Sequence, residues 1–407
     1  MLAKSVSKLE RTIGGGPNPP PAGSFAVSDE GCERAVPEAD ADRSALANGR
    51  SWEVGYRWML LGATLLALCV VVLGATVRLA DAGLGCPDWP GCYGALTVGG
   101  ALATPPAQRA GRWAGQPLDV ARARMEMLHR YVAGTLGLLI LGIVVLGRRR
   151  FALGIAGPVL VALVMLQALL GMWTVTLRLE PLVVTAHLLG GMTVLALLWW
   201  LTLRVRSDGA RAASPHGALD GRSPGLGLRL LARTALLLLA LQIALGGWVA
   251  ANHATLACQG FPTCNGSWWP AADFADGFAP LVGRLADAGM SGPGRIAIQW
   301  VHRLGAMGLF LVLGTLAVLT GHARRPAPIR RAGRMLGALL LVQIGLGAAT
   351  VLAGAPLALA AAHNAAAALL LLVLVALNWA LGRAAPRIGQ RDDPHLERGL
   401  ARPGVGV

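Results

Sequence analysis

The chain of 407 residues is 55% hydrophobic and only 14% charged, with a mean hydropathy of +0.56. That balance excludes an ordinary soluble domain and points to an integral membrane protein, whose length counts spans rather than domains. A net charge of +15 would suggest nucleic acid as the partner of a soluble chain, but here the arginines fall between apolar runs, so no nucleic-acid partner is expected.

In chain order, residues 1–55 are rich in Gly, Pro, Ala and mixed charge, hold no run that would serve as a signal peptide, and are expected to form a disordered cytoplasmic tail. Apolar runs of about 18 to 25 residues, long enough to cross a bilayer as helix, then start near Trp58, Met125, Phe151, Pro181, Leu230, Ile296, Met335 and Pro356. The first four make an amino-terminal half over 56–206 and the last four a carboxy-terminal half over 228–382. A cytoplasmic linker over 207–227 separates them, and 383–407 form a second cytoplasmic tail. Arginines crowd the turns after spans two, four and six, from Arg148 to Arg150, Arg204 to Arg233 and Arg324 to Arg334. By the positive-inside rule that side is cytoplasmic, both termini are inside, and the loops after spans one, three, five and seven lie outside.

The two halves repeat. The offset is 172 for Gly74 and Gly246, Cys86 and Cys258, Cys92 and Cys264, then 173 for His129 and His302, and 176 for Gln167 and Gln343, Gly171 and Gly347, and His187 and His363. Such register with little drift argues for duplication of a four-helix unit. Because each unit has an even number of spans, the fold expected is an all-α polytopic membrane protein. It comprises two tandem four-helix bundles related by a pseudo-two-fold axis along the membrane normal.

His129 and His187 open spans two and four, and His302 and His363 open spans six and eight, all toward the outer face. A histidine in hydrocarbon is costly and usually functional. Facing imidazoles from two helices of a bundle can supply both axial ligands of a haem. The plainer alternative, a hydrogen-bonded packing histidine, is weakened by four of them in repeat register. His216, His253, His322 and His395 lie at span ends, in linkers or in tails and are given no ligand role.

Arg130 and Arg303 directly follow two of these histidines and are candidates for holding haem propionates, since guanidinium pairs well with carboxylate. The alternative is an arginine that snorkels or, in the first half, pairs with Glu126. Cys86 with Cys92, and Cys258 with Cys264, occupy matching outer loops, where an oxidising compartment and five intervening residues favour a disulfide within each pair. A zinc site built from all four thiolates is the rival. Cys32 and Cys69 read as unpaired thiols. The repeat breaks at Glu126, three residues before His129, because the matching residue before His302 is Gln299. Glutamine keeps shape and hydrogen bonding but takes no proton, so one site has an ionisable carboxylate beside its ligand, a candidate for proton transfer.

With the Glu126-x-x-His129-Arg130 motif, Gly74-Ala75-Thr76-Val77-Arg78-Leu79 and Gly83-Leu84-Gly85-Cys86-Pro87-Asp88-Trp89-Pro90 in place, the chain resembles the haem A synthase family over about residues 55 to 382. The resemblance implies an oxidoreductase of a bacterial inner membrane that oxidises the C8 methyl of haem O to a formyl group through two hydroxylations, giving haem A for terminal oxidases. It implies that His129 and His187 hold the substrate haem with Glu126 as the catalytic group, and that His302 and His363 ligate the iron of a resident haem b. Haem O synthase and oxidase assembly factors are the partners it implies, besides membrane lipid, and a homo-oligomer is left open. The chain shows no flavin, iron-sulfur or nucleotide motif, so the electron acceptor comes from elsewhere. A dihaem electron-transfer cytochrome would need no asymmetric carboxylate, and a haem transporter or chaperone would favour exchangeable ligation. Both are rivals that fold alone does not separate.

Overall fold

The computed structural model describes residues 36–148, 151, 153–213, 224–279 and 290–383. Among them the chain forms helices α1 (Val36–Leu79), α2 (Val98–Ala103), α3 (Pro106–Arg112), α4 (Val120–Gly147), α5 (Ala156–Thr176), α6 (Pro181–Ala213), α7 (Leu226–Ala251), α8 (Phe274–Gly277), α9 (Gly292–Gly321), α10 (Ala327–Leu352) and α11 (Leu357–Arg383). No β-strand occurs among the described residues, only the isolated bridges Cys92 with Ala95 and Cys264 with Ser267. Eight helices are long and apolar enough to cross a membrane, namely α1 from Trp52 onward, α4, α5, α6 as far as Ser207, α7, α9, α10 and α11. The chain is a multi-pass, all-helical membrane protein.

Local chemistry sets the ends of these helices. The Asp119 side chain accepts from the Ala121 and Arg122 amides and starts α4 five residues before the apolar run begins at Met125. Ser291 caps α9 by accepting from the Gly294 amide, and Pro326 precedes the first turn of α10. The turn between α5 and α6 places Arg178 and Leu179 at positive φ, and the turn between α10 and α11 does the same with Gly354 and Ala355. These tight turns make neighbouring spans antiparallel, so α4, α6, α9 and α11 all begin at one end of the bundle.

Helix α1 begins at Val36, inside the segment 1–55 expected to be a tail, because an alanine-rich stretch with few breakers favours helix. Residues 1–35 lie outside the described residues. Helix α6 likewise runs to Ala213, into the expected linker 207–227, whose middle, 214–223, lies outside the described residues, as does 384–407 of the second tail.

The main core gathers Leu195, Leu198 and Leu201 of α6, Leu313 and Leu316 of α9, Leu336 of α10, and Leu374 and Leu377 of α11, all essentially without exposure. Apolar side chains such as Leu138 and Leu311 remain exposed on the outside, where hydrocarbon would cover them. The halves meet along α6, which packs on both α7 and α11. Trp199 of α6 donates its indole N–H to the Leu372 carbonyl at 2.9 Å. At the histidine end Arg78 of α1 donates to the carbonyls of Ala250 and Ala251 at 3.0 and 3.2 Å and lies 3.0 Å from His253 Nε2. Arg78 thus adds a cationic donor to the carbonyl end of α7, where the Ala250 carbonyl also accepts from the His253 amide at 3.3 Å.

Candidate functional site

Each of the four histidines stands against a glycine of the preceding span. A Cβ at Gly74 would lie 2.8 Å from His129 Cε1, one at Gly171 3.4 Å from His187 Cε1, one at Gly246 3.3 Å from His302 Cε1, and one at Gly347 2.9 Å from His363 Cε1. At Gly74 and Gly347 a methyl would clash with the ring, so α1 and α10 approach that closely only as glycine, whereas at Gly246 the contact would be tight and at Gly171 ordinary. The imidazoles are half-buried. His187 is within electrostatic reach of His129, and His302 of His363. The buried Nδ1 atoms of His129 and His187 have no hydrogen-bond partner among the described residues. Paired, half-open imidazoles in an apolar bundle, with backbone pared to glycine behind them, fit a flat macrocycle ligated from both faces.

Glu126 is 4% exposed, and so is Gln299 at the matching place. The Glu126 carboxylate accepts from the Cys86 amide at 2.9 Å through Oε2 and from the Arg130 guanidinium through Oε1. Gln299 instead donates to the Thr255 carbonyl at 3.3 Å, and its buried Oε1 has no partner among the described residues. The first half therefore holds a carboxylate, with charge-assisted donors on both oxygens, on the helix that carries His129. The second half holds a neutral amide with one oxygen idle.

Both loops above these residues are closed by disulfides, Cys86 to Cys92 and Cys258 to Cys264, with S–S separations of 2.09 and 1.92 Å. Each pair is bonded within its own loop, which removes the rival zinc site of four thiolates. Backbone detail recurs at the sequence offset: Tyr93 and Gly94 have φ of 51° and 76°, and Asn265 and Gly266 have 53° and 80°. Asp88 fixes the first turn by accepting from the Tyr93 amide at 2.6 Å and the Gly94 amide at 2.8 Å. Cys69 is a free, exposed thiol on α1, and Cys32 lies outside the described residues.

Arg130 and Arg303 tie these loops to the histidine helices. Arg130 donates to the carbonyls of Asp88 at 3.0 Å and Pro90 at 3.2 Å, and also to that of Gly91. Arg303 donates to Thr263 at 2.7 Å and to Cys258 at 2.8 Å, while its Nε is buried without a partner among the described residues.

A family model described as cytochrome oxidase assembly protein matches residues 57–375. The haem A synthase of Shewanella oneidensis is 36% identical over 334 residues, which cover 80% of this chain and 96% of that protein. Those of Rhizorhabdus wittichii and Caulobacter vibrioides are 28% and 30% identical over 380 and 379 residues, covering 85% and 84% of this chain and 96% and 99% of theirs. The chain belongs to the haem A synthase family.

In this haem A synthase family member the structure gathers Glu126, Arg130, Cys86 and Cys92 around the end of α4, and Gln299, Arg303, Cys258 and Cys264 around α9. It places His253 beside Arg78, apart from the histidine pairs. Sequence reasoning used the four glycines as marks of the repeat without seeing that they back the imidazoles. It missed Gln242 altogether, whose amide Nε2 lies 3.0 Å from His302 Nδ1 and 2.8 Å from the His302 carbonyl. The signal was available, since Gln242 stands 172 residues after Val70 and so breaks the repeat as plainly as Gln299 does.

Proposed function

We propose that this chain is a haem A synthase, an oxidoreductase that converts the C8 methyl of haem O to a formyl group. The observation that carries the reading is the buried Glu126 carboxylate, held by Cys86 and Arg130 beside His129, against the neutral Gln299 beside His302. Two sites of one pattern, only one able to move a proton, suit one substrate haem and one resident haem.

In this reading His129 and His187 hold haem O, and His302 and His363 hold haem b. Bound haem supplies the redox chemistry, and the chain supplies ligation, orientation and proton handling. Glu126 sits one helical turn before His129 and takes a proton at Oε1 or Oε2, while the Cys86 amide and Arg130 fix its position and stabilise its charge. Arg130 and Arg303 fasten the disulfide loops over the sites, and the spare Nε of Arg303 is a donor available to a propionate. The two bundles are related by a pseudo-two-fold axis along the membrane normal. The termini lie in the cytoplasm, the membrane is a bacterial inner membrane, and haem O synthase, oxidase assembly factors and an external electron acceptor complete the setting.

The test is to extract haems from membranes holding this protein, with and without co-expressed haem O synthase. Haem A, with a hydroxylated haem as intermediate, is expected only when haem O is supplied. A folded, haem-loaded protein that yields only haem b and unmodified haem O would defeat the enzyme reading and favour an electron-transfer or transport role.

A further inference from the structure

At the end of the bundle away from the histidines, a groove of ≈ 710 Å³ follows the seam between the halves, lined by α5 and α6 of the first and α7 and α11 of the second. Its surface is mostly apolar, but Arg233 and Arg383 line it too, and none of its lining residues is acidic. Trp200 and Trp379, also in the lining, meet edge to face with ring centroids 5.9 Å apart. The Arg383 guanidinium lies 5.5 Å over the Trp379 ring, and that of Arg204 lies 5.5 Å over Trp200. Arg383 also donates to the Ser207 hydroxyl of α6. Arg233 is exposed.

The duplication supplies the comparison. At the matching positions of the repeat, where α6 and α11 exchange roles, the seam is filled. Trp199 stands where the groove has Val375, and Leu372 where it has Ala196. The Trp199 indole donates to the Leu372 carbonyl at 2.9 Å, so those two positions are in contact. Leu369 stands where the groove has Thr193, and Leu61 where it has Arg233. One seam is packed with large apolar side chains; the other has been cleared by small ones and given a guanidinium. An interior seam left open forfeits dispersion contacts along its walls unless something fills it. In a bilayer the filler at hand is hydrocarbon, and arginines at the helix ends call for an anion at its head.

We propose that this groove binds one anionic phospholipid of the adjacent leaflet, with its phosphate at Arg233 and Arg383 and an acyl chain lying along Ala196 and Val375. The lipid takes the place that Trp199 and Leu372 fill in the matching seam and joins α6 to α11. An uncharged quinone would occupy the apolar part but leave the guanidiniums without a counter-charge. The site stands whichever haem each histidine pair holds, since both pairs lie at the opposite end.

The test titrates delipidated, haem-loaded protein in detergent with dioleoylphosphatidylglycerol or dioleoylphosphatidylcholine and counts bound lipid by native mass spectrometry. The first lipid bound should be the phosphatidylglycerol. Arg233→Leu, which copies Leu61, should weaken it about fivefold, the effect of one arginine on an anionic headgroup, and leave phosphatidylcholine unchanged. Ala196→Leu, which copies Leu372, should weaken both lipids about tenfold, the lower end of the cost of overpacking. Arg331→Leu, an exposed arginine at the same end but outside the groove, should change neither. Haem b content and gel filtration report that each variant is folded. Equal first affinities for the two lipids, or unchanged phosphatidylglycerol binding in both Arg233→Leu and Ala196→Leu, would overturn the proposal. So would an Arg331→Leu effect as large as that of Arg233→Leu, which would mark general surface charge, or displacement of the lipid by equimolar decylubiquinone, which would mark a quinone site.

Discussion

The two ends that carry histidine are built on one plan, with a glycine behind each ring, a disulfide loop above each pair and an arginine binding loop to helix. They diverge at a handful of side chains. Glu126 corresponds to Gln299, Val70 to Gln242, Val132 to Gly305 and Gly190 to Ala366. The first set leaves imidazoles without partners and adds a carboxylate; the second pins the imidazoles and removes the carboxylate. After duplication, a scaffold can be given two different chemistries without altering its helices, because proton transfer and ring orientation both depend on a few side chains beside the histidines.

The sharpest break in this comparison is loss of an axial ligand. His302→Ala or His363→Ala should leave purified protein nearly devoid of haem b by pyridine haemochrome assay, whereas His129→Ala and His187→Ala should keep most of it and lose haem O binding. Equal loss of haem b from both sets would invert or abolish the division.

Next comes the carboxylate. Glu126→Gln copies Gln299, keeps an oxygen for the Cys86 amide and removes the proton acceptor, so haem A formation should fall about 10²-fold while both haem sites still load. Glu126→Asp should fall between, since it keeps the charge one methylene further back. Near-normal haem A from the glutamine variant would leave the halves without a chemical difference at this position.

A smaller effect is expected from the loops. Opening the first disulfide with Cys86→Ser and Cys92→Ser frees the backbone that donates to Glu126, and should lower haem A formation about 10-fold, within what a displaced catalytic group costs. The matching pair Cys258→Ser and Cys264→Ser touches no carboxylate and should cost less. Equal losses from the two loops, measured on protein of equal haem b content, would show that the loops stabilise rather than position.

The smallest effect concerns the seam beside His253. Burial first, and the Arg78 guanidinium second, hold its imidazole below the ordinary value of 6.5. A lowered value in the folded state means that the neutral ring's contribution is whole above about pH 6.5 and declines as pH falls below it. Thermal unfolding followed from pH 8 to pH 5 should show a fall in midpoint that His253→Asn flattens. A wild-type profile identical to that of the variant would remove His253 from the seam.

Much of this was legible in the sequence because it is written locally. Eight spans follow from apolar length, the histidine pairs from register, and the disulfides from spacing and turn residues, and each of these stands within a few residues of its signal. Helix starts were less legible, because Asp119 and Pro326 begin α4 and α10 in polar sequence ahead of the apolar runs. Of what the arginines bond, the pairing of Arg130 with Glu126 one turn away was legible as an alternative, but the loop contacts were not, since Arg130 reaches carbonyls some forty residues away by tertiary approach. Gln242 escaped for another reason: in a repeat the eye collects agreements, and the information lies in the exceptions.

Arg78 and Trp199 fasten the two halves at separate points, one at the carbonyl end of α7 and one to the backbone of α11. A frame stitched in both places resists sliding and hinging alike. Two haems carried in it would keep a constant gap, so electron hopping between them would answer to their difference in driving force and not to any motion of the protein.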